Sequence, residues 1–140
     1  MKIQIRAVGR LRDRRMEDLC REYLDRARRH LPVEVIEVER GEDLLRNLPV
    51  GTEVVALEPG GDAWDTAALT AYVEGKMTRG QRGLAFLIGG ADGLPPTAAA
   101  GAQRRLSLSP LTLPHRLARV VLCEQIYRVL SRIRGEPYDR

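Results

Sequence analysis

The apolar positions of this chain change rhythm at intervals, and each change marks a new element. Ile3, Ile5, Ala7 and Val8 alternate with polar residues as far as Gly9 and predict a first strand. From Arg14 to Leu31 the period lengthens: Met16, Leu19, Cys20, Tyr23, Leu24 and Ala27 recur at helical spacing, with arginines opposite. Val33, Val35, Ile36 and Val38 predict a second strand, and a short turn of helix follows over Asp43 to Leu48. Val54, Val55, Ala56 and Leu57 predict a third strand, which the run Pro59-Gly60-Gly61 should stop. Asp65 or Thr66 caps a helix reaching about Thr78. Leu84 to Ile88 is an unbroken apolar strand ending at Gly89-Gly90, and a looser helix is predicted from Pro95 to Arg105. Leu106, Leu108, Leu111 and Leu113 then alternate with Ser107, Ser109 and Thr112, but Pro110 interrupts the strand and Pro114 closes it. A last helix spans His115 to Arg134.

Strands that are apolar throughout and alternate with helices imply an α/β fold: a mostly parallel sheet with helices on both faces. The 140 residues form a single domain, with no repeat or linker. The last helix adds a second requirement. Leu122, Cys123, Ile126, Val129, Leu130 and Ile133 make one apolar face, while Leu117, Val120 and Val121 make another that also carries Glu124 and Arg128 at ion-pair spacing. Two apolar faces ask for two partners, which favours a homodimer over a helix sandwiched within its own domain.

Three stretches fall at the carboxyl ends of predicted strands, where ligands sit in open α/β sheets: Leu57 to Gly61, Ile88 to Gly93, and Ser109 to Pro114. Gly and Pro there are also ordinary turn punctuation, so each alone is weak; together they suit a small ligand held by backbone groups. Neither a G-x-G-x-x-G nor a P-loop pattern is present, which disfavours a dinucleotide or phosphate cradle. Cys20 and Cys123 have no metal-ligand spacing and read as core, and no metal is expected. No secretory h-region or membrane-length apolar run occurs, so a cytoplasmic protein is expected. His30 and His115 read as a helix-end and a loop residue, and Trp64 as a loop anchor.

Charge changes the picture of the partner. Residues 1–30 carry a net +5, residues 31–80 a net −6 and residues 81–140 a net +5, giving +4 overall. If the fold joins the basic ends, they make a surface for nucleic acid; the plainer alternative is a solvated arginine-rich exterior. The six aromatics are scattered along the chain and predict no base-stacking platform, so RNA would be held by phosphates and shape.

Phe86-Leu87-Ile88-Gly89-Gly90-Ala91-Asp92-Gly93-Leu94, Leu106-Ser107-Leu108-Ser109 with Leu111-Thr112-Leu113-Pro114-His115, Arg119-Val120 with Glu124-Gln125-Ile126-Tyr127-Arg128, and Gly135-Glu136-Pro137-Tyr138 together resemble the ribosomal RNA large-subunit methyltransferase H family of the SPOUT superfamily. The resemblance runs from Lys2-Ile3-Gln4-Ile5 to the end of the chain. It implies a homodimeric α/β methyltransferase with a C-terminal trefoil knot, using S-adenosylmethionine to methylate N3 of a pseudouridine in large-subunit ribosomal RNA on assembled 70S ribosomes. It also implies that the interrupted strand is a threaded cofactor loop. By position the cofactor contacts fall on Leu57, Gly89, Leu108, Ser109, Pro110, Leu111, Thr112 and Leu113. The catalytic tail falls on Tyr138, Asp139 and Arg140, with Asp139 where the family has histidine. A ribosome-binding factor on the same fold that has lost catalysis is the rival; it would leave the cofactor loops without a purpose.

Overall fold

The computed structural model describes residues 1–138 and contains one five-stranded sheet. Its strands are β1 (Lys2–Val8), β2 (Val33–Val38), β3 (Thr52–Asp62), β4 (Gly83–Ile88) and β5 (Arg104–Leu106), arranged β2-β1-β4-β3-β5 with every pair parallel. The helices are α1 (Arg14–Ala27), α2 (Thr66–Thr78), α3 (Pro96–Ala100) and α4 (His115–Arg134), with a 3-10 turn at Gly41–Asp43.

Period-two alternation sorts the sheet residues onto its two faces. Ile3, Ile5, Val55, Leu84 and Phe86 join Leu24 of α1, Leu69 and Val73 of α2, and Leu122, Ile126 and Val129 of α4 in the main core. Val54 and Leu87 face the other way and meet Leu44 and Ala98 in a smaller cluster. Helices therefore cover both faces as expected, but unequally: three long ones on one side, and α3 with the 3-10 turn on the other. Asp13 and Asp65 start α1 and α2, their carboxylates accepting from Met16 N (3.2 Å) and Ala68 N (2.8 Å). Arg6 occupies the thinner face, almost wholly buried, and donates to the carbonyls of Leu44 (2.9 Å) and Arg46 (2.7 Å). It thereby satisfies carbonyls that a loop under a sheet would otherwise leave orphaned.

Four elements differ from the sequence expectation. The first helix stops at Ala27, short of Leu31, because Pro32 disfavours helical backbone before it and β2 begins at Val33. The expected turn over Asp43 to Leu48 is a 3-10 turn at Gly41–Asp43. The helix expected from Pro95 to Arg105 ends at Ala100, since Arg104–Leu106 are taken into the sheet as β5. Conversely, Pro59-Gly60-Gly61 does not stop β3, which runs to Asp62 through a bulge: both Leu57 and Asp62 register with Leu106. Gly61 makes this crossing feasible, because a Cβ there would fall 2.7 Å from Leu106 N. Pro59 sits within the bulge, where no ladder hydrogen bond is lost.

Candidate functional site

The stretch from Ser107 to Pro114 is not a strand but a folded loop between β5 and α4. Its shape is set by its own hydroxyls: Ser107 Oγ donates to Ser109 O (2.8 Å), and Ser109 Oγ accepts from Leu111 N (2.9 Å). Ser107 N donates to Asp62 O (2.9 Å), fastening the loop to the bulged end of β3. The prolines fit this picture, since neither has an N–H to leave unsatisfied.

This loop, the end of β3 and the loop after β4 enclose a cleft of about 390 Å³. Leu57, Gly89, Leu108, Ser109, Leu111, Thr112 and Leu113 all line it, so seven of the eight expected contact positions converge on one cavity. Pro110 belongs to the same loop but does not line the cleft. Glu58 lines it too, within the stretch Leu57 to Gly61 that the sequence singled out; Ala118 was not foreseen, and His115, expected as an ordinary loop residue, starts α4 and faces the cleft.

Gly89 has a structural role that the sequence did not disclose. A Cβ on it would lie 2.6 Å from Gly93 O and 2.7 Å from Leu94 N. The loop folds back onto Gly89 through Gly93, whose φ of 77° is left-handed and whose N–H donates to Gly90 O (3.0 Å). Gly89 is therefore required to close the loop, before any ligand enters.

Four of the six aromatics, though spread along the chain, form two pairs in space. Trp64 and Tyr72 rings lie 5.1 Å apart beside Arg104, and Tyr72 donates to Glu53, which also pairs with Lys76 (2.8 Å). Tyr127 and Tyr138 rings lie 4.5 Å apart. Tyr138 OH donates to Glu124 Oε2 (2.7 Å), while the Arg128 guanidinium sits 4.8 Å from the Tyr138 ring and 2.7 Å from the same carboxylate oxygen. Burial pushes the Glu124 carboxyl up, but hydrogen bonds from Arg128 and Tyr138 outweigh it and hold the group below the usual range. Burial and the Glu124 contact push the Tyr138 phenol well up.

Tyr138 thus docks against the middle of α4 and does not line the cleft. Glu124 lies nine residues beyond His115, about 13 Å along the helix. Asp139 and Arg140 lie outside the described residues. Val120, expected on the second apolar face of α4, is buried in the core, whereas Leu117 is 41% exposed and Val121 half-buried. Arg119 is buried too: it pairs with Glu37 and donates to Gly9 O (2.8 Å), tying the first turns of α4 to the end of β1. Cys20 and Cys123 are free thiols buried in the main core, as the sequence suggested. No helix among the described residues is long and apolar enough to cross a membrane.

The all-parallel sheet and a cleft built from strand-end loops without a phosphate cradle define the class to which the comparisons lead. The chain belongs to the family described as predicted SPOUT methyltransferase, whose model matches residues 1–139. Within that class it is similar to proteins named ribosomal RNA large subunit methyltransferase H. It is 48% identical to the one from Sorangium cellulosum over 99% of both chains, and 39% identical to that of Gemmatimonas aurantiaca over the whole of both. A crystal structure of a probable rRNA-methyltransferase from Porphyromonas gingivalis shares the fold at a TM-score of 0.56 and 13% identity, covering 94% of this chain and 69% of that one.

Proposed function

We propose that this chain is an S-adenosylmethionine-dependent methyltransferase of large-subunit ribosomal RNA, acting as a homodimer on N3 of a pseudouridine in assembled ribosomes. The observation that carries the reading is the convergence of seven expected cofactor positions on one cleft. Its volume lies within the range of small-molecule sites. The lining fits the cofactor's chemistry: apolar side chains and close backbone for an adenosyl group, and no phosphate cradle that S-adenosylmethionine would not use. When bound, that cofactor supplies a methyl group already made electrophilic by its sulfonium.

The chain's own work is placement. Leu57, Leu108 and Leu113 would hold the ligand between the three loops, and the internal bonds of Ser107 and Ser109 keep those walls rigid. Holding two reactants in line supplies on the order of 7–11 kcal/mol of barrier reduction. The target N3 must shed its proton, and Arg140 would stabilise the negative charge left on the base. Tyr138 anchors the tail that presents Arg140, and Asp139 either accepts the N3 proton or fills the place of the family's histidine.

Because Tyr138 docks on Glu124, about one and a half to two helical turns beyond Ala118 of its own cleft, the tail is best placed to serve a partner's cleft. The exposed Leu111 and Leu117 then form the dimer contact. The basic ends of the chain, including Arg10, Arg12, Arg14 and Arg15 with Arg104, Arg105, Arg132, Arg134 and Arg140, would meet the RNA. The trefoil knot and a cytoplasmic location belong to the same reading. Purified protein, labelled S-adenosylmethionine and ribosomes from cells lacking the gene test it: label should enter large-subunit RNA at one pseudouridine. Failure to label either ribosomes or free RNA would reject it.

A further inference from the structure

The cleft has one anionic side chain among its described lining residues, and nothing above gives it a task. Glu58 is the first residue of the β3 bulge, and its side chain is only 16% exposed. Arg105, on the neighbouring strand β5 and itself 59% exposed, donates to Glu58 Oε2 and fixes the carboxylate from the solvent side. Oε1 receives no hydrogen bond from the described residues. The structure thus holds a carboxylate at the cleft with one oxygen engaged and the other unengaged.

Such a group suits hydroxyl donors better than it suits a cation or RNA. Its ion pair with Arg105 offsets the charge a cation would need, but leaves an oxygen able to accept. RNA phosphates would be repelled by it. Two of the three hydroxyl-bearing side chains of the loop wall are partly committed, since Ser107 donates to Ser109 O and Ser109 Oγ accepts from Leu111 N; Thr112, the third, is neutral and a weaker acceptor than a carboxylate. A carboxylate at the end of a parallel strand reading ribose hydroxyls is a recurrent solution in nucleotide-binding α/β folds.

We propose that Glu58 recognises the ribose 2′- and 3′-hydroxyls of the adenosyl ligand, and that Arg105 is its positioning residue. The proposal rests on the cofactor reading above and assigns the specificity of that site.

Isothermal calorimetry tests it, with S-adenosylmethionine, S-adenosylhomocysteine and the 2′,3′-dideoxy analogue of the latter as titrants. Circular dichroism first establishes that each variant is folded. Loss of a hydrogen bond to a charged group corresponds to roughly tenfold or more in affinity. Glu58→Ala should therefore weaken both hydroxyl-bearing ligands by about tenfold. The dideoxy analogue, already weak on the native protein, should bind native and variant alike. Arg105→Ala should weaken the hydroxyl-bearing ligands but not the dideoxy analogue, and Arg105→Lys should restore them, which a general structural defect would not do. Unchanged affinity of Glu58→Ala for S-adenosylhomocysteine overturns the proposal. So does an equal loss for the dideoxy analogue, or a loss confined to S-adenosylmethionine, which would mean that the carboxylate senses the sulfonium. A native protein that binds neither natural ligand overturns the cofactor reading and this proposal together, and so is distinguishable from failure at Glu58 alone.

Discussion

Gly89 and Gly60 both follow strand residues and look alike in the sequence, yet their surroundings differ. A side chain at Gly89 would strike the backbone of Gly93, whereas one at Gly60 would meet nothing within 4 Å. Gly89→Ala should weaken S-adenosylmethionine binding at least about tenfold by forcing the loop open, while Gly60→Ala should stay within about 0.5 kcal/mol of native stability and keep its affinity. Calorimetry and thermal unfolding of the pair check both. Sequence reading brings Gly89 to the cleft, but by imagining a ligand in the space that Gly93 occupies. Tyr138 offers a second test at this scale. Glu124 is held below its ordinary value in the folded chain, so its contribution to the tail contact is complete above the ordinary carboxylate range, near 4.3, and is lost as pH falls through the lower folded value. Near-ultraviolet circular dichroism of the Tyr127–Tyr138 pair should show an acid transition that Glu124→Gln removes.

The helix α4 serves three tasks, and each of its turns shows one. Its first turns line the cleft, its inward face fills the core, and its outer face carries the tail anchor. Arg119 fastens the first of these to the sheet; Arg119→Ala should cost about 2 kcal/mol in urea unfolding, because Glu37 is left without its partner but remains partly solvated. Leu117→Asp should instead leave the fold intact and give a monomeric mass by light scattering, since Leu117 projects from the core. α4 was legible in the sequence from the spacing of its apolar residues, β4 from its unbroken apolar run and α2 from the capping residue at its start. The bulge of β3 and the shortness of β5 were not, since they follow from one long-range pairing in which Leu57 and Asp62 share Leu106. The same pairing explains why leucine–serine alternation from Leu106 to Leu113 imitates a strand: the leucines face the cleft or core, and the serines bind their own loop.

At the scale of the molecule, the sheet delivers three loops to one place, and Tyr138 docks elsewhere, on α4. The cleft was legible because strand ends of a parallel sheet share one edge, whatever the loop details. The tail's docking was not, because Tyr138 meets Glu124 and Arg128 through a reversal after the helix that no periodicity encodes. A separated cleft and tail would give the proposed dimer a chemical purpose, an assembled site that methylates ribosomal RNA. Mass spectrometry of large-subunit ribosomal RNA from cells with the gene, without it, and with an Arg140→Ala copy is the most direct measurement. The account predicts one N3-methylated pseudouridine that is present with the native gene, absent without it and largely lost with the Arg140→Ala copy. An identical modification pattern with and without the gene would contradict it.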